Sequence, residues 1–233
     1  MFQGANYHHA MNQFSLKNTY KKTAAAGFTL IELLVVLVVV SVITFLLLVQ
    51  QSKFDSSTVL RSLAYNVALS VRQAQVYGVS VRESALGSAT FAQAYGLYVD
   101  PVGNPQNYTL FADTNNNQRY DAAPSPGEGT MLFKVNKAYR VSEVCVIRGD
   151  GLRRCSGGDD TSGAGTINTL TVLFRRPNPD AIFFGLTGAG GLLDTPDQYT
   201  SAYIQLQATD GTKRGVHVYV TGQVSVDALG QAI

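Results

Sequence analysis

Residues 27–49 of this 233-residue chain read GFTLIELLVVLVVVSVITFLLLV. From Phe28 to Val49 the segment has one charged residue, Glu32, and contains no glycine or proline. As an α-helix these 22 residues would be ~33 Å long, enough to cross a hydrocarbon core of about 30 Å. The stretch therefore predicts a single membrane-spanning helix near the start of the chain.

The composition of the whole chain is that of an ordinary globular protein, with 45% apolar and 15% charged residues. A formal net charge of +2 is too small to indicate a nucleic-acid binder on charge alone. Two cysteines and three histidines exclude a cysteine-rich metal scaffold. No triad order, nucleophile elbow, paired-carboxylate motif or phosphate loop is present, so we do not expect an enzyme.

The flanks of the apolar segment separate three interpretations. Lys21 and Lys22 precede it, which by the positive-inside rule places the short N-terminal arm in the cytoplasm and the bulk of the chain outside. A cleavable secretory signal ends in small residues, but here residues 24–27 (AAAG) come before the apolar run. A plain signal anchor stays open, although no basic residue lies at helical spacing to neutralise Glu32.

The third interpretation is carried by residues 27–36 (GFTLIELLVV), where a Gly-Phe pair, an acid and an apolar tail coincide. This segment resembles the prepilin signal of type IV pilins and type II secretion pseudopilins. In that family a membrane peptidase cuts after the glycine and methylates the new amine. The resemblance implies a cytoplasmic leader of residues 1–27, cleavage between Gly27 and Phe28, N-methylation of Phe28 and retention of the helix.

The resemblance also implies a role for Glu32 in assembly, because in the family this acid pairs with the terminal amine of a neighbouring subunit. Opposite charges attract strongly in a low dielectric, and each neutralises a charge that would otherwise be unpaired. The implied partners are other pilins or pseudopilins, prepilin peptidase, an inner-membrane platform with its ATPase, and membrane lipid before assembly. The implied location is the inner membrane, then a periplasmic or extracellular filament.

The helical pattern continues beyond the membrane segment. Apolar residues recur at spacings of three and four and form one stripe: Leu60, Leu63, Ala64, Val67, Val71 and Ala74. Gly78 is expected to end this helix. We expect residues 28–53 to form the transmembrane and filament-core part of one helix and residues 54–78 its amphipathic second half. The alternative is a break within residues 50–58.

After residue 80 the pattern changes to period two and predicts short strands without intervening helices. The expected strands are 95–99, 108–112, 131–135, 141–147, 170–175, 181–184, 202–207, 215–220 and 224–226, and the glycines at 185, 188, 190 and 191 indicate a loop. The expected fold class is α+β and pilin-like, with a long N-terminal helix packed on an antiparallel β-sheet head of residues 79–233. This layout resembles the GspH/FimT-type minor pilins.

Two groups of residues in the head predict a disulfide bond and a metal site. Cys145 and Cys155, ten residues apart and outside the cytoplasm, predict a disulfide, with free thiols as the alternative. Oxygen-bearing side chains at positions 1, 3, 5 and 9 of one loop match the spacing of Ca²⁺ ligands: Asp113, Asn115, Asn117 and Asp121. The usual glycine and the final glutamate are missing, so a plain polar turn remains the alternative, and no other cofactor is expected.

Lys213 and Arg214 precede the last hairpin strand, near the place where the FimT branch carries a basic segment that contributes to DNA binding. The arginine pattern of that segment is displaced here. The main hypothesis is therefore a structural subunit, and the alternatives are a tip-located minor pilin that binds DNA or a surface, and an anchored monomer. His217 alternates with Val216 and Val218 and is expected to face solvent or a polar groove.

Overall fold

The computed structural model describes residues 27–80, 91, 94–122, 128–157 and 166–227. Residues 1–26 of the expected leader, 1–27, lie outside the described residues. The chain divides into two compact units, Met1–Leu47 and Leu48–Ile233. One helix, α1 (Leu30–Val79), begins in the first unit and ends in the second without the break considered for residues 50–58.

In the first unit, every described side chain is exposed. Residues Leu30–Leu48 form a helical stretch that is long and apolar enough to span a membrane. Its two hydroxyl side chains are satisfied within the helix, because Ser41 Oγ donates to the Leu37 carbonyl at 2.8 Å and Thr44 Oγ1 donates to the Val40 carbonyl at 2.7 Å. Such bonds remove the cost of bringing a hydroxyl into hydrocarbon.

The second unit contains two antiparallel sheets, each with five strands among the described residues. The strands are β1 (Ala94–Val99), β2 (Asn107–Asp113), β3 (Gly129–Lys134), β4 (Tyr139–Arg148), β5 (Arg153–Cys155), β6 (Thr169–Arg175), β7 (Asn178–Leu186), β8 (Tyr199–Ala208), β9 (Lys213–Tyr219) and β10 (Val224–Asp227). The first sheet has the order β3-β2-β1-β6-β7 and the second has the order β10-β9-β8-β4-β5. With the long helix, this is the predicted α+β, pilin-like layout.

Each of the nine predicted strands is present, with ends that differ by up to three residues. The sequence did not predict β5, because three residues are too few for an alternating pattern. The prediction that Gly185 lies in a loop was wrong. It is buried inside β7, opposite Leu170, where a Cβ atom would meet the Ile167 side chain at 2.8 Å.

One core joins the helix to both sheets of the second unit. The predicted stripe of α1 is confirmed: Leu60, Ala64, Val67, Val71 and Ala74 are at most 1% exposed, and Leu63 is partly buried. Residues of the first sheet (Leu97, Val172) and of the second sheet (Ile204, Val216) belong to the same buried cluster. The helix ends at Val79, where Gly78 lets the backbone approach the carbonyl of Phe174.

Candidate functional site

The start of α1 is capped by a side chain. Gly27, Phe28 and Thr29 are non-helical, and Leu30 is the first helical residue. The Thr29 Oγ1 accepts a hydrogen bond from the backbone N–H of Glu32 at 3.3 Å. This is the N-cap geometry that satisfies one of the free N–H groups at a helix start. The sequence pattern Thr-x-x-Glu is typical of such a helix start, and the sequence analysis did not use it for Glu32.

Glu32 therefore lies in the first turn of α1, where a negative charge interacts favourably with the helix dipole. Its carboxylate receives no hydrogen bond from the residues that the structure describes. Phe28, the residue just after the expected cleavage site, is 83% exposed. The start of α1 therefore presents the acid Glu32 close to the exposed residue Phe28, within five residues of the chain.

The loop after β2 is organised by a buried carboxylate, Asp113, which is 1% exposed. Its Oδ1 accepts a hydrogen bond from the backbone N–H of Asn117 at 3.1 Å, and its Oδ2 accepts one from that of Gln118 at 3.0 Å. Burial raises the pKa of Asp113, while the bond from Gln118 acts in the opposite direction. Asp113 therefore works as the anchor of this turn.

Asp121 and Glu128 complete the same loop. The Nδ2 groups of Asn115 and Asn117 each donate to Oδ2 of Asp121 at 2.7 Å. Glu128 is buried, and its carboxylate accepts hydrogen bonds from the backbone N–H groups of Thr114 at 2.9 Å and Asp121 at 3.1 Å. Glu128 thus joins the loop although it lies outside the predicted spacing.

The structure brings the predicted Ca²⁺ ligands into one loop but not into a preformed three-acid cluster. The ligand atoms of Asp113, Asp121 and Glu128 do not all lie within 4.8 Å of one another. The loop satisfies its own backbone, as the polar-turn interpretation expects. Binding of Ca²⁺ would require the amides of Asn115 and Asn117 to turn their oxygens toward the ion, and it stays a prediction.

The predicted disulfide is present between Cys145 on β4 and Cys155 on β5, and both residues are fully buried. The two cysteines are directly opposed across the antiparallel pair. Glu143 is the carboxylate that lies near both sulfurs among the described residues. Because a disulfide offers no thiolate, this group is not a metal site.

Lys213 and Arg214 begin β9 and point to opposite faces of the second sheet, as successive strand residues do. Lys213 is exposed. Arg214 is half-buried, and its Nη2 donates to the Ser57 Oγ of α1 at 3.3 Å. The two cations therefore do not form one paired surface, contrary to their adjacency in sequence.

His217 was expected to face solvent or a polar groove, and the first of these alternatives is wrong, since the residue is 4% exposed. Its ring stacks on Tyr219 with a centroid distance of 4.6 Å and contacts Tyr203 edge-on. The Nε2 atom lies 3.1 Å from Ser201 Oγ, and Nδ1 has no hydrogen-bond partner among the described residues. The outer face of the second sheet is covered here by large side chains, which the alternating sequence pattern does not reveal.

A second feature that the sequence did not indicate is an ion-pair cluster around Asp194. Its Oδ2 accepts a hydrogen bond from Arg154 Nε at 2.9 Å, and its Oδ1 accepts one from Arg148 Nη1 at 3.0 Å. Asp194 lies 46 residues from Arg148 and 40 residues from Arg154, and no spacing rule connects it to them. The side chains of Arg154 and Asp194 are each 8% exposed, which indicates a structural role in the head.

Comparison with known proteins finds one matching motif in the chain. A family model described as the prokaryotic N-terminal methylation motif matches residues 22–48. No curated protein and no solved structure matches the chain. The matched region includes Gly27, Phe28 and Glu32 and extends to the end of the apolar window.

The motif and the fold are consistent with each other. The motif supports a type IV pilin-like signal and indicates a structural subunit. It implies processing by prepilin peptidase and assembly with other pilins. The apolar helix and the motif together fit a membrane-anchored pilin.

Proposed function

We propose that this chain is a minor pilin or minor pseudopilin of the GspH/FimT type and has no enzymatic activity. It would serve as a structural subunit of a type IV pilus or of a type II secretion filament. The observation that carries the proposal is that the methylation motif coincides with the start of one continuous helix. That helix is exposed and apolar in the first unit and packed into a β-sheet head in the second.

The exposed apolar helix needs a cover, because an apolar surface of this extent is unfavourable in water. Lipid supplies that cover before assembly, and the helices of neighbouring subunits supply it afterwards. The change of partner requires no chemistry from the head, which fits a subunit without catalytic groups.

In this proposal, Glu32 determines where the neighbouring subunit binds. Cleavage after Gly27 would create a positive amine on Phe28, four residues before an acid that has no hydrogen-bond donor among the described residues. The amine of one subunit would then meet the carboxylate of the next, and each would neutralise a charge that is costly in an apolar environment. The platform and ATPase of the inner membrane would drive this step.

The mass of the mature protein tests the proposal. The full chain is expressed with and without a prepilin peptidase, purified from membranes and measured by intact-mass spectrometry. The expected product lacks residues 1–27 and carries one added methyl group on Phe28. A product that keeps the leader, or that has lost the apolar segment with it, would overturn the proposal. Cross-linking through a single cysteine in α1 then separates a filament subunit from an anchored monomer.

We propose Ca²⁺ as an optional ligand of the loop formed by Asp113, Asn115, Asn117 and Asp121. The spacing of these four side chains in one loop supports it, because carboxylate and amide oxygens are the ligands that Ca²⁺ prefers. A tip-located subunit that binds DNA or a surface through Lys213 and Arg214 is the alternative function. Retardation of duplex DNA by the full chain, lost in Lys213→Gln, would support that alternative.

A further inference from the structure

An open cleft at one end of the first sheet has no role in the proposed function. It lies between the turn that follows β1 and the loop that follows β7, and its volume is about 380 Å³. Small-molecule sites in proteins usually have volumes of ~300–1,000 Å³. We call it the end cleft. The side chains that matter for its chemistry are those of Tyr98, Asp100, Asn168, Leu186 and Thr187.

The strand register explains why polar groups meet at the end cleft. β1 ends, β6 begins and β7 ends at the same edge of the first sheet, because both pairs of strands are antiparallel and in register there. Asp100 directly follows β1, Asn168 directly precedes β6 and Thr187 directly follows β7. A carboxylate, an amide and a hydroxyl group therefore lie around one cleft, although they are far apart in the sequence.

These three polar groups keep hydrogen-bonding capacity for a ligand. The Asn168 side-chain amide makes no hydrogen bond to any residue that the structure describes. Asp100 uses Oδ1 to accept a hydrogen bond from the Gly103 N–H at 2.7 Å, which leaves Oδ2 as an acceptor. Thr187 Oγ1 accepts from the Gly191 N–H at 3.2 Å, and its own hydroxyl proton can still be donated.

The apolar part of the lining is held in place by the loop that follows β2. The ring of Tyr98 packs on Tyr120 with a centroid distance of 4.6 Å. Next to it, Arg119 Nη1 donates to the carbonyl of Gly190 in the opposite wall at 3.5 Å. Burial and the charge of Asp100 raise the pKa of Tyr98, although a neighbouring threonine lowers it, so the hydroxyl stays protonated and can donate.

The charges around the end cleft favour a neutral ligand. Asp100 is the one ionised side chain among the described lining residues, and Arg119 brings one opposite charge to the rim. An anion would be repelled by Asp100, whereas a purely apolar molecule would leave the polar lining without partners. An extended peptide has no free strand edge here, because Leu186 already pairs with Leu192. A neutral molecule rich in hydroxyl groups fits best.

We propose that the end cleft binds a neutral saccharide of one or two sugar units. The C–H groups of the sugar ring pack against Tyr98 and Leu186, as apolar groups do on an aromatic ring. Its hydroxyl groups, which both donate and accept, exchange hydrogen bonds with Asp100, Asn168 and Thr187. The head would thereby recognise a glycan, and this binding requires neither the membrane anchor nor filament formation.

Titration of the full chain with simple sugars tests the proposal. The protein is held in nanodiscs, because detergents with sugar headgroups would compete. Binding of the methyl glycosides of glucose, galactose, mannose and N-acetylglucosamine is followed by saturation-transfer NMR. We expect at least one to bind with a Kd of about 1–10 mM, since an open cleft makes few contacts. No binding of any of them at about five times that concentration would overturn the proposal. Tighter binding of glucose 6-phosphate than of glucose would also overturn it, because it would reveal an anion site.

Two glycine variants make the test specific. Gly188 lines the end cleft, and a Cβ atom there would lie 3.2 Å from Asn168 Nδ2. Gly188→Leu should therefore fill the cleft and weaken binding about ten-fold or more. Gly191→Leu adds the same side chain to the same loop outside the lining and should leave the Kd unchanged. Native affinity in Gly188→Leu, or equal weakening in both variants, would contradict the proposed site.

An asparagine pair tests the hydrogen bonds separately. Asn168→Ala should weaken binding about five-fold, because it removes hydrogen bonds between neutral groups. Asn178→Ala removes an exposed asparagine at the start of β7 and should have no effect. An unchanged Kd in Asn168→Ala would contradict its assigned contact with the sugar. Near-UV circular dichroism checks the fold, and titration of the unchanged protein decides the proposal if a variant misfolds.

Saccharide binding and the proposed function fail independently. A chain that is processed and enters filaments, but binds no sugar, would overturn only the end cleft as a site. A chain that binds sugar but keeps its leader would overturn only the filament subunit.

Discussion

Arg154 on β5 donates a hydrogen bond to Asp194 at 2.9 Å. This bond connects the edge strand of the second sheet to the segment between β7 and β8. Both side chains are 8% exposed, so water screens the pair little. The Arg154 hydrogen bond, more than the nearby charge of Arg148, holds the pKa of Asp194 below its usual range against the effect of burial.

Asp194→Ala should lower the free energy of unfolding by about 3–5 kcal/mol, because it leaves buried guanidinium charge without its partner. Chemical unfolding of the full chain in detergent, followed by near-UV circular dichroism, measures this. Asp197→Ala removes an exposed acid three residues away and serves as the matched control. Equal stability of the two variants would show that the cluster contributes little.

His217 should make the head less stable in acid. Burial lowers its pKa, and the Arg153 charge adds to this while Asp227 opposes it. The unfolded chain then binds a proton more readily, so stability is complete above pH 6.5 and declines as the pH falls toward the folded-state pKa. Midpoints of unfolding between pH 8 and about pH 5 measure the effect. The slope should be smaller in His217→Gln, and an unchanged slope would contradict the assignment.

The Cys145–Cys155 disulfide should contribute about 2–4 kcal/mol to the stability of the head, because it closes a short loop between two buried residues. Reductant should therefore lower the unfolding midpoint of the native chain. Cys145→Ser with Cys155→Ser should show the lower midpoint from the outset. Any response of this double variant to reductant would reveal an effect unrelated to the disulfide.

Glu32→Ala should be cleaved after Gly27 and yet fail to enter filaments, because the neighbouring amine would lack its acid. Co-purification with sheared filaments and intact mass measure the two steps. Thr29→Ala is the matched control, since it removes the N-cap bond, worth about 1 kcal/mol, and keeps the carboxylate. Incorporation of Glu32→Ala at the native level would exclude the pairing.

Millimolar Ca²⁺ should raise the melting temperature by about 2–4 °C if the loop around Asp121 binds it, since an ion at several times its dissociation constant adds about 1 kcal/mol. Asp121→Asn should abolish the shift. Asp100→Asn, in the turn between β1 and β2, changes the same chemistry elsewhere and should keep it. An unshifted native protein would leave the plain polar turn as the correct interpretation.

Most of the fold could be predicted because its signals are local. The apolar window and the stripe of α1 repeat with the helical period, and nine strands repeat with period two. The strand β5 was not predicted because three residues are too few to show an alternating pattern. Gly185 was assigned to a loop because the sequence alone does not distinguish a glycine in a strand from a glycine in a loop. In both cases a neighbouring strand decided the conformation.

The sequence by itself determined the N-terminal methylation motif, the membrane-spanning length and the α+β class, and it predicted the bond between its two cysteines, because each depends on residues close in the chain or on a unique partner. Only the tertiary structure decided that His217 is buried and that Asp194 joins two arginines. These relations depend on strand order and register, which bring together residues that no local pattern connects.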